Sequence, residues 1–514
     1  MNVVALKHIN EVDNFFDVEN KFVNLLDSMK DIHTKAMELS ELEQKLESEG
    51  RELLRSMLQA HIHERGLGII GEVLEGSDGI VRKHKKTGKR QIKTIFGVVE
   101  TERVSYGNRG VDSLFPKDSK MNLPAISYSH ELKKRAVNEV VKCSYDNAVE
   151  SVLETTGQLI PKQQVENITV QVAQDFDEFY QQNSSEENII KAKKCSLLIL
   201  TADGKGVVMH KDDLRPATKK KAENDRKNKL KKRLSPGEKK NSKRMATVAS
   251  VYNIETFVRK PEDFKKELSS IKVVDETPKP RPLAKRVWAS VEKEPEEIIE
   301  EMFEEGLTRD PHKNKIWVAL VDGNKHQIDL IQSIAKKRKI IITIVCDIIH
   351  VIEYLWKAVW VFFEKGDQKA EVWVSERFIS ILEGKASLVA AGIRRSATNQ
   401  KLEKLERAPV DKCATYLLNK APHLKYHEYL KNGFPIATGV IEGACRHLVK
   451  DRMEITGARW RLKSAEAVLK LRSLKSSGDF SEYWGFHEKQ ELYRNHTSKY
   501  DNPSLVDDFI LKEV

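Results

Sequence analysis

The chain has 514 residues with 88 Lys+Arg against 77 Asp+Glu, a formal charge of +11 at pH 7, and 40% hydrophobic beside 32% charged residues. That apolar fraction excludes wholesale disorder, and the length implies roughly three or four domains. No run approaches the ~18 consecutive apolar residues of a spanning helix, and MNVVALKHINEVDNFF lacks a basic-then-apolar leader, so a cytoplasmic protein with no membrane partner is expected. The five cysteines, Cys143, Cys195, Cys346, Cys413 and Cys445, include no CxxC pair, which excludes a disulfide scaffold and a zinc ribbon.

In chain order, residues 1–65 read as helical. Apolar residues recur at heptad spacing from Phe22 to Met57 (Leu25, Ile32, Leu39, Leu46 and Leu53 on one row), which predicts a long amphipathic helix, packed on its own protein or paired as a coiled coil. Gly66-Leu-Gly68-Ile-Ile-Gly71 is a literal GxGxxG. Without a preceding strand and following helix it is not a nucleotide fingerprint, and His61 and His63 read as surface residues. In the region 85–190, Gln91 to Tyr106 predicts a strand or hairpin. Two helical patterns split by Gly157 and Pro161 then give the outline of a helix-turn-helix or an ordinary helical hairpin.

The region 191–350 changes character. Ser196 to Ala202 is a continuous apolar run ending in Asp203 and Gly204, as in a buried strand whose carboxylate emerges at its C-terminal end; Val207–His210 and Ala246–Val258 suggest two more strands. Between them, residues 215–244 hold 14 Lys+Arg and three acids, so 14 − 3 accounts for the whole +11. Such a run is a counterion-release device for a polyanion, or a solvated charged loop. Its basic residues Lys219, Lys220, Lys221, Lys231, Lys232, Arg233, Lys243 and Arg244 are the candidates for phosphate contact.

A second buried strand runs from Ile316 into Asp322, and a third from Ile340 into Asp347, with a helix between them. Strand, helix, strand predicts parallel pairing in an α/β sheet, with both carboxylates at one edge. Residues 351–430 read as all helical, and 431–514 place Glu442 early in another helix. Asp203, Asp322 and Glu442 thus follow apolar runs. Carboxylates gathered at one edge repel unless a cation holds them, and hard oxygens suit Mg²⁺ or Mn²⁺. Two such ions can activate an attacking oxygen and stabilise a leaving one in phosphoryl transfer.

At these residues the chain resembles bacterial insertion-sequence transposases of the ISKra type, relatives of the Mutator-like DDE enzymes. The blocks that carry the resemblance are TADGKGVV, RLSPGEKKNSKRMATVASVY, IWVALVDGNKHQI, CDIIHVIEYLWKAVW and GVIEGACRHLVKDRMEITGARW with AEAVLKLR. The resemblance implies a ribonuclease-H-like catalytic domain with an all-helical insertion at 351–430, preceded by a DNA-binding region. It implies a catalytic, metal-holding triad of Asp203, Asp322 and Glu442. Asp347-Ile-Ile-His350 matches a D-x-x-H signature, which makes Asp347 the alternative second aspartate. His350 then contacts DNA or the scissile phosphate, orients Asp347, or is structural. Some relatives carry an N-terminal cysteine pair that is absent here, so a zinc-dependent reading of DNA is not expected.

The expected activity is cleavage of transposon ends in double-stranded DNA and joining of the 3′ hydroxyl to target DNA, by a homo-oligomer at the bacterial nucleoid. Lys450, Arg452, Arg459 and Trp460, close after Glu442, are expected to hold phosphate and stack a base, with Trp460 equally placed to pack under the sheet. The rival expectations are a metal-dependent nuclease or resolvase without strand transfer, and a non-catalytic, domesticated DNA-binding transposase.

Overall fold

The computed structural model describes residues 14–182, 195–224, 242–268 and 279–500. It divides into two units, residues 1–175 with 481–514, and residues 176–480. Among the described residues no helix is long and apolar enough to cross a membrane.

The first unit begins with two helices, Phe16–Lys30 and Leu39–Glu64, where the heptad pattern predicts one. The break is local chemistry. Asp31 is extended (φ −62°, ψ 148°) and its carboxylate accepts the His33 N–H at 3.2 Å, starting a single turn that ends before Glu38 caps the next helix. Asn14 bonds Glu64 at 2.9 Å and Lys21 bonds Glu52 at 2.9 Å, so the two helices run antiparallel. Ile32 and Leu39 of the expected seam are consequently 75% and 72% exposed.

A three-stranded antiparallel sheet follows: β1 (His84–Thr94), β2 (Gly97–Asn108) and β3 (Val111–Leu114). The β1–β2 ribbon changes its buried face along its length. Near the turn, Ile92 and Val99 pack with Ile62 and Leu123. Toward the open end, Val104 and Tyr106, which belong to the other face, pack with Leu74, Leu114 and Tyr500. The GxGxxG segment is a loop closed by packing. A Cβ on Gly68 would lie 2.8 Å from the Lys117 nitrogen, and the Lys117 ammonium donates to the carbonyls of Ile62, Gly66 and Glu102 at 2.6 to 3.0 Å.

The helices His130–Val140, Tyr145–Thr156 and Lys162–Val172 complete the unit together with Phe480–Asn495 from the end of the chain. Gly157 stops the second of these at φ +67°, a left-handed conformation that suits glycine. A buried polar network joins them: His487 Nδ1 lies 2.7 Å from Asp175 Oδ2, Arg494 donates to the same carboxylate, and Lys133 pairs with Glu491 at 3.6 Å.

The second unit is built on a five-stranded sheet of β4 (Leu197–Val208), β5 (Lys243–Ile254), β6 (Leu283–Ser290), β7 (Ile316–Val321) and β8 (Ile342–Cys346). Its order is β6-β5-β4-β7-β8. The first three strands are antiparallel neighbours, and β7 and β8 run parallel to β4. The parallel half follows from the strand–helix–strand pattern, with helix Lys325–Lys337 crossing between β7 and β8.

One sequence expectation is corrected here. β4 does not end at Asp203; it continues unbroken to Val208, paired with β5 from Leu197↔Ile254 to Val208↔Lys243. Its pairing with β7 stops at Thr201↔Leu320. Asp203 therefore sits inside a strand, at the point where one of the two neighbours has ended.

Helix Pro295–Arg309 covers the sheet, its Phe303 stacked on Trp317 with centroids 6.0 Å apart; any side chain at Gly306 would meet that indole at 2.5 Å. Helix Leu462–Ser477 supplies Glu466, a buried carboxylate that accepts the Val291 and Glu292 N–H groups at 2.9 and 3.1 Å. Between β8 and residue 431 lie five helices, Ile348–Val359, Gln368–Leu382, Ala386–Asn399, Ala408–Lys420 and Tyr426–Lys431.

Candidate functional site: a carboxylate edge

β4 and β7 pair in constant register from Leu197↔Ile316 to Thr201↔Leu320, and Asp203 and Asp322 each lie two residues beyond that last paired step. β7 and β8 pair up to Val321↔Cys346, and the Asp347 N–H donates to the Val321 carbonyl at 2.7 Å, so Asp347 lies level with Asp322. In parallel strands, residues opposite one another project to the same face, about 4.8 Å apart between neighbouring strands.

The three carboxylates are held differently. Asp203 Oδ1 accepts the Gly204 N–H at 2.6 Å and Oδ2 accepts the Cys445 thiol at 3.2 Å. Asp322 Oδ1 accepts the Asn324 N–H at 2.8 Å, which starts the turn into the next helix. Its backbone carbonyl accepts the Tyr416 hydroxyl at 3.2 Å. Asp347 is 2% exposed, and both its oxygens are occupied. Oδ1 accepts the N–H groups of Ile349 at 2.9 Å and Thr438 at 3.3 Å, and Oδ2 accepts the Thr438 hydroxyl.

Glu442 is exposed on the short helix Gly439–Ala444, which Thr438 begins. Cys445, three residues on and therefore on the same helical face, is the residue that touches Asp203. Burial, then the Asp203 carboxylate, pushes the Cys445 thiol well above its ordinary range, with Glu442 adding to the rise. On the neighbouring strand, burial pushes Cys346 up to about 12, and the charges of Asp322 and Asp347 contribute. Both shifts favour the thiol over the thiolate, and the Cys445 thiol donates to Asp203.

After Glu442 the helix widens into a π-helix over Cys445–Lys450. Widened turns leave carbonyls without their usual partners. Here Arg472 reaches from helix Leu462–Ser477 and donates to the carbonyls of His447 and Leu448. The helices after β8 are likewise fixed to the strand ends by hydroxyls: Tyr426 donates to Cys346 O at 2.7 Å and Tyr429 to Ile344 O at 3.3 Å, beside the Tyr416 contact to Asp322. Cys445, Thr438, Arg472 and these tyrosines carried no sequence signal except the Glu442–Cys445 spacing.

Several expected contact residues are committed elsewhere. Trp460 is 5% exposed; its indole donates to Met453 O at 3.1 Å, and its backbone bonds Val208 O at 3.0 Å and the His210 N–H at 2.9 Å, so it extends the end of β4 with its ring buried, as in the packing alternative. Arg452 is 2% exposed with its guanidinium 4.8 Å over that ring, which corrects its reading as a phosphate contact. Arg244 donates to the carbonyls of Val291, Asp213 and Glu292 at 2.7 to 3.2 Å and is a structural clamp. Lys243 lies 3.9 Å from Glu454. Lys220, Lys221, Lys450 and Arg459 are exposed, Lys219 is half-buried on helix Pro216–Asn224, and Lys231, Lys232 and Arg233 lie outside the described residues. His350 is 3.7 Å from Glu353, on the first turn after Asp347.

For a metal, it is the donor type that fits: Asp203, Asp322 and Glu442 offer hard oxygens, and Glu442 extends from the element that touches Asp203. Among the described residues no three His, Cys, Asp or Glu side chains are drawn together closely enough to hold a metal ion.

The chain matches no protein-family model and no curated protein. Among solved structures it is similar to a chain of a Drosophila P element transposase strand transfer complex, at 8% identity, with 76% of this chain and 88% of that chain covered and a TM-score of 0.21. Likeness at that level carries no argument about fold or function.

Proposed function

We propose that this chain is a DDE-type DNA transposase, which cuts transposon ends and joins the freed 3′ hydroxyl to target DNA by metal-assisted phosphoryl transfer. What supports the reading is that the β4–β7 register, carried two steps past Thr201↔Leu320, would bring Asp203 level with Asp322, and that Cys445 joins the Glu442 helix to Asp203. The strand order is the one a ribonuclease-H-like reading requires, three antiparallel strands followed by two parallel to the first. The resemblance of its motif blocks to ISKra-type transposases supports the same reading.

In this mechanism Asp203, Asp322 and Glu442 would hold Mg²⁺ or Mn²⁺, which would supply charge neutralisation at the phosphate and make the attacking oxygen easier to deprotonate. The remaining work belongs to the chain. The sheet holds Asp203 and Asp322 in fixed register, so positioning costs nothing at the moment of reaction. Asp347 and Thr438 seat the helix that carries Glu442, and Cys445 orients Asp203. Lys450 and Arg459, exposed beyond Glu442, hold the phosphate backbone of double-stranded DNA. Assembly as a homo-oligomer, which brings two ends together, and helix Lys162–Val172 as a major-groove reader belong to the same proposal.

Incubation of the purified chain with labelled DNA carrying the repeats that flank its reading frame tests this. Mg²⁺-dependent cutting with joined products supports a transposase. Cutting without joining marks a nuclease, and binding without cutting marks a DNA-binding protein.

A further inference from the structure

We propose that the open end of the β1–β2 ribbon, from Lys83 to Lys89, is a sequence-independent track for the phosphate backbone of duplex DNA. The inference rests on the DNA-processing reading above and adds a surface in the other unit. Arg82 to Lys93 contains seven Lys and Arg, and no acid occurs from Gly79 to Val99. This is a second cationic concentration, separate from residues 215–244, and it is concealed by a whole-chain charge count because acids elsewhere offset it.

The structure sorts these cations into two groups. Three are built into the fold: Arg82 is buried and bonds Asp78 at 2.8 Å, Arg90 donates to Ile126 O at 2.9 Å, and Lys93 donates to Leu159 O at 3.1 Å. The others are on the surface. Every residue from His84 to Lys89 is exposed, on a strand with a neighbour on one side only. Lys85 pairs with Glu72 at 3.0 Å, and Lys89 pairs with Glu100 at 2.8 Å and faces Glu102 across the ladder. Lys83 and Lys86 have no such partner among the described residues. Gly88, between them and Lys89, leaves open space where a side chain would stand, as at sites of close backbone approach.

The ribbon is also stiff where it is charged. Opposite the bare segment, Val104 and Tyr106 are buried, and the Tyr106 hydroxyl donates to Gly71 O at 2.9 Å and accepts the Ile70 N–H at 3.0 Å. A stiff edge strand that carries exposed lysines suits a phosphate backbone, since each neutralised phosphate releases condensed counterions. At about 3.3 Å per residue, Lys83, Lys86 and Lys89 are spaced about 10 Å apart along the strand, with Lys86 and Lys89 on opposite faces. Lysines also protect edge strands from pairing with other chains. That role needs charge at the edge but not a stretch of twenty-one positions free of acid, and it makes a different prediction.

The test is fluorescence anisotropy of a short labelled duplex with the full-length protein across a salt series, comparing wild type, Lys83→Gln/Lys86→Gln and the control Lys30→Gln/Lys35→Gln. The expected result is a plot of log affinity against log salt that is shallower by about 2 in the ribbon variant, at about 0.9 per phosphate contact, for all duplex sequences alike. The control keeps the wild-type slope. In the unaltered protein, mass spectrometry after brief lysine acetylation is expected to find Lys83 and Lys86 protected by DNA and Lys30 not, which reads the contact without any variant. An unchanged slope and no protection, with wild type still cutting DNA, overturns the ribbon and leaves the catalytic reading intact. Wild type that neither binds nor cuts DNA overturns both.

Discussion

Asp347 and Thr438, 91 positions apart, are joined through both the hydroxyl and the N–H of Thr438, and this pair fixes the start of the Glu442 helix to the end of β8. Asp347 also caps helix Ile348–Val359 through the Ile349 N–H. Both oxygens of this buried carboxylate are thus taken by three donors, whereas Asp322 accepts the Asn324 N–H through Oδ1; the proposed mechanism accordingly gives positioning to Asp347 and metal binding to Asp322.

Asp347→Asn is therefore expected to destabilise the fold by about 2 to 4 kcal/mol, because an amide cannot accept all three bonds and leaves a donor buried. Thr438→Val is expected to cost about 1 to 3 kcal/mol. Asp322→Asn is expected to leave the melting temperature near wild type. Thermal unfolding of the three variants beside their DNA cleavage separates the two aspartates.

Trp460 offers a second contrast. As a buried side chain under Arg452 that closes the end of β4, it should cost about 3 to 5 kcal/mol when replaced by alanine, and much less as Trp460→Phe. A stacking residue would behave differently: alanine would leave stability unchanged and weaken DNA binding. Denaturant unfolding with a binding assay on the same samples decides.

Arg472 satisfies carbonyls that the π-helix frees. Arg472→Met keeps most of the packing and removes the donors, so about 1 to 3 kcal/mol of stability should be lost along with the geometry of Cys445 and Glu442. Hydrogen exchange over 442–453 is the measurement, with faster exchange expected in that segment and little change in β7.

His130 sets a pH dependence in the first unit. Burial, with the nearby Lys133 ammonium adding to it, pushes His130 down to about 4. The folded chain keeps the ring neutral while the unfolded chain protonates below about 6.5, so this contribution is complete above 6.5 and is lost as pH falls toward 4. The loss reaches about 3 kcal/mol at the lower end. His130→Gln should flatten the stability profile between those limits.

The strands were legible because buried parallel strands are continuous apolar runs, and Leu197–Ala202, Ile316–Val321 and Ile342–Cys346 all announced themselves. The end of β4 was not, since Gly204-Lys-Gly206 reads as a turn and only pairing with β5 keeps it extended. The break at Asp31 was hidden by a heptad rhythm that continues across it, because periodicity records which residues are apolar and not whether one capping carboxylate interrupts the helix. Trp460 and Arg452, close after Glu442, and Arg244, at the end of the basic run 215–244, looked like DNA contacts because a cationic or aromatic residue reads the same in sequence whether it faces solvent or supports the sheet. The hydroxyl contacts of Tyr416, Tyr426 and Tyr429 depend on where the helices return to the sheet, which no local pattern encodes.

The central claim, that Asp203, Asp322 and Glu442 act as one site, is tested most directly by Mg²⁺-dependent cleavage and joining of DNA bearing the flanking repeats, with wild type, Asp203→Asn, Asp322→Asn, Asp347→Asn and Glu442→Gln at matched folded concentration. The account predicts loss of at least about 10³-fold for Asp203, Asp322 and Glu442, and activity per folded molecule near wild type for Asp347. An Asp322→Asn protein that cuts and joins like wild type, or a fully folded Asp347→Asn protein that is inert, would contradict it.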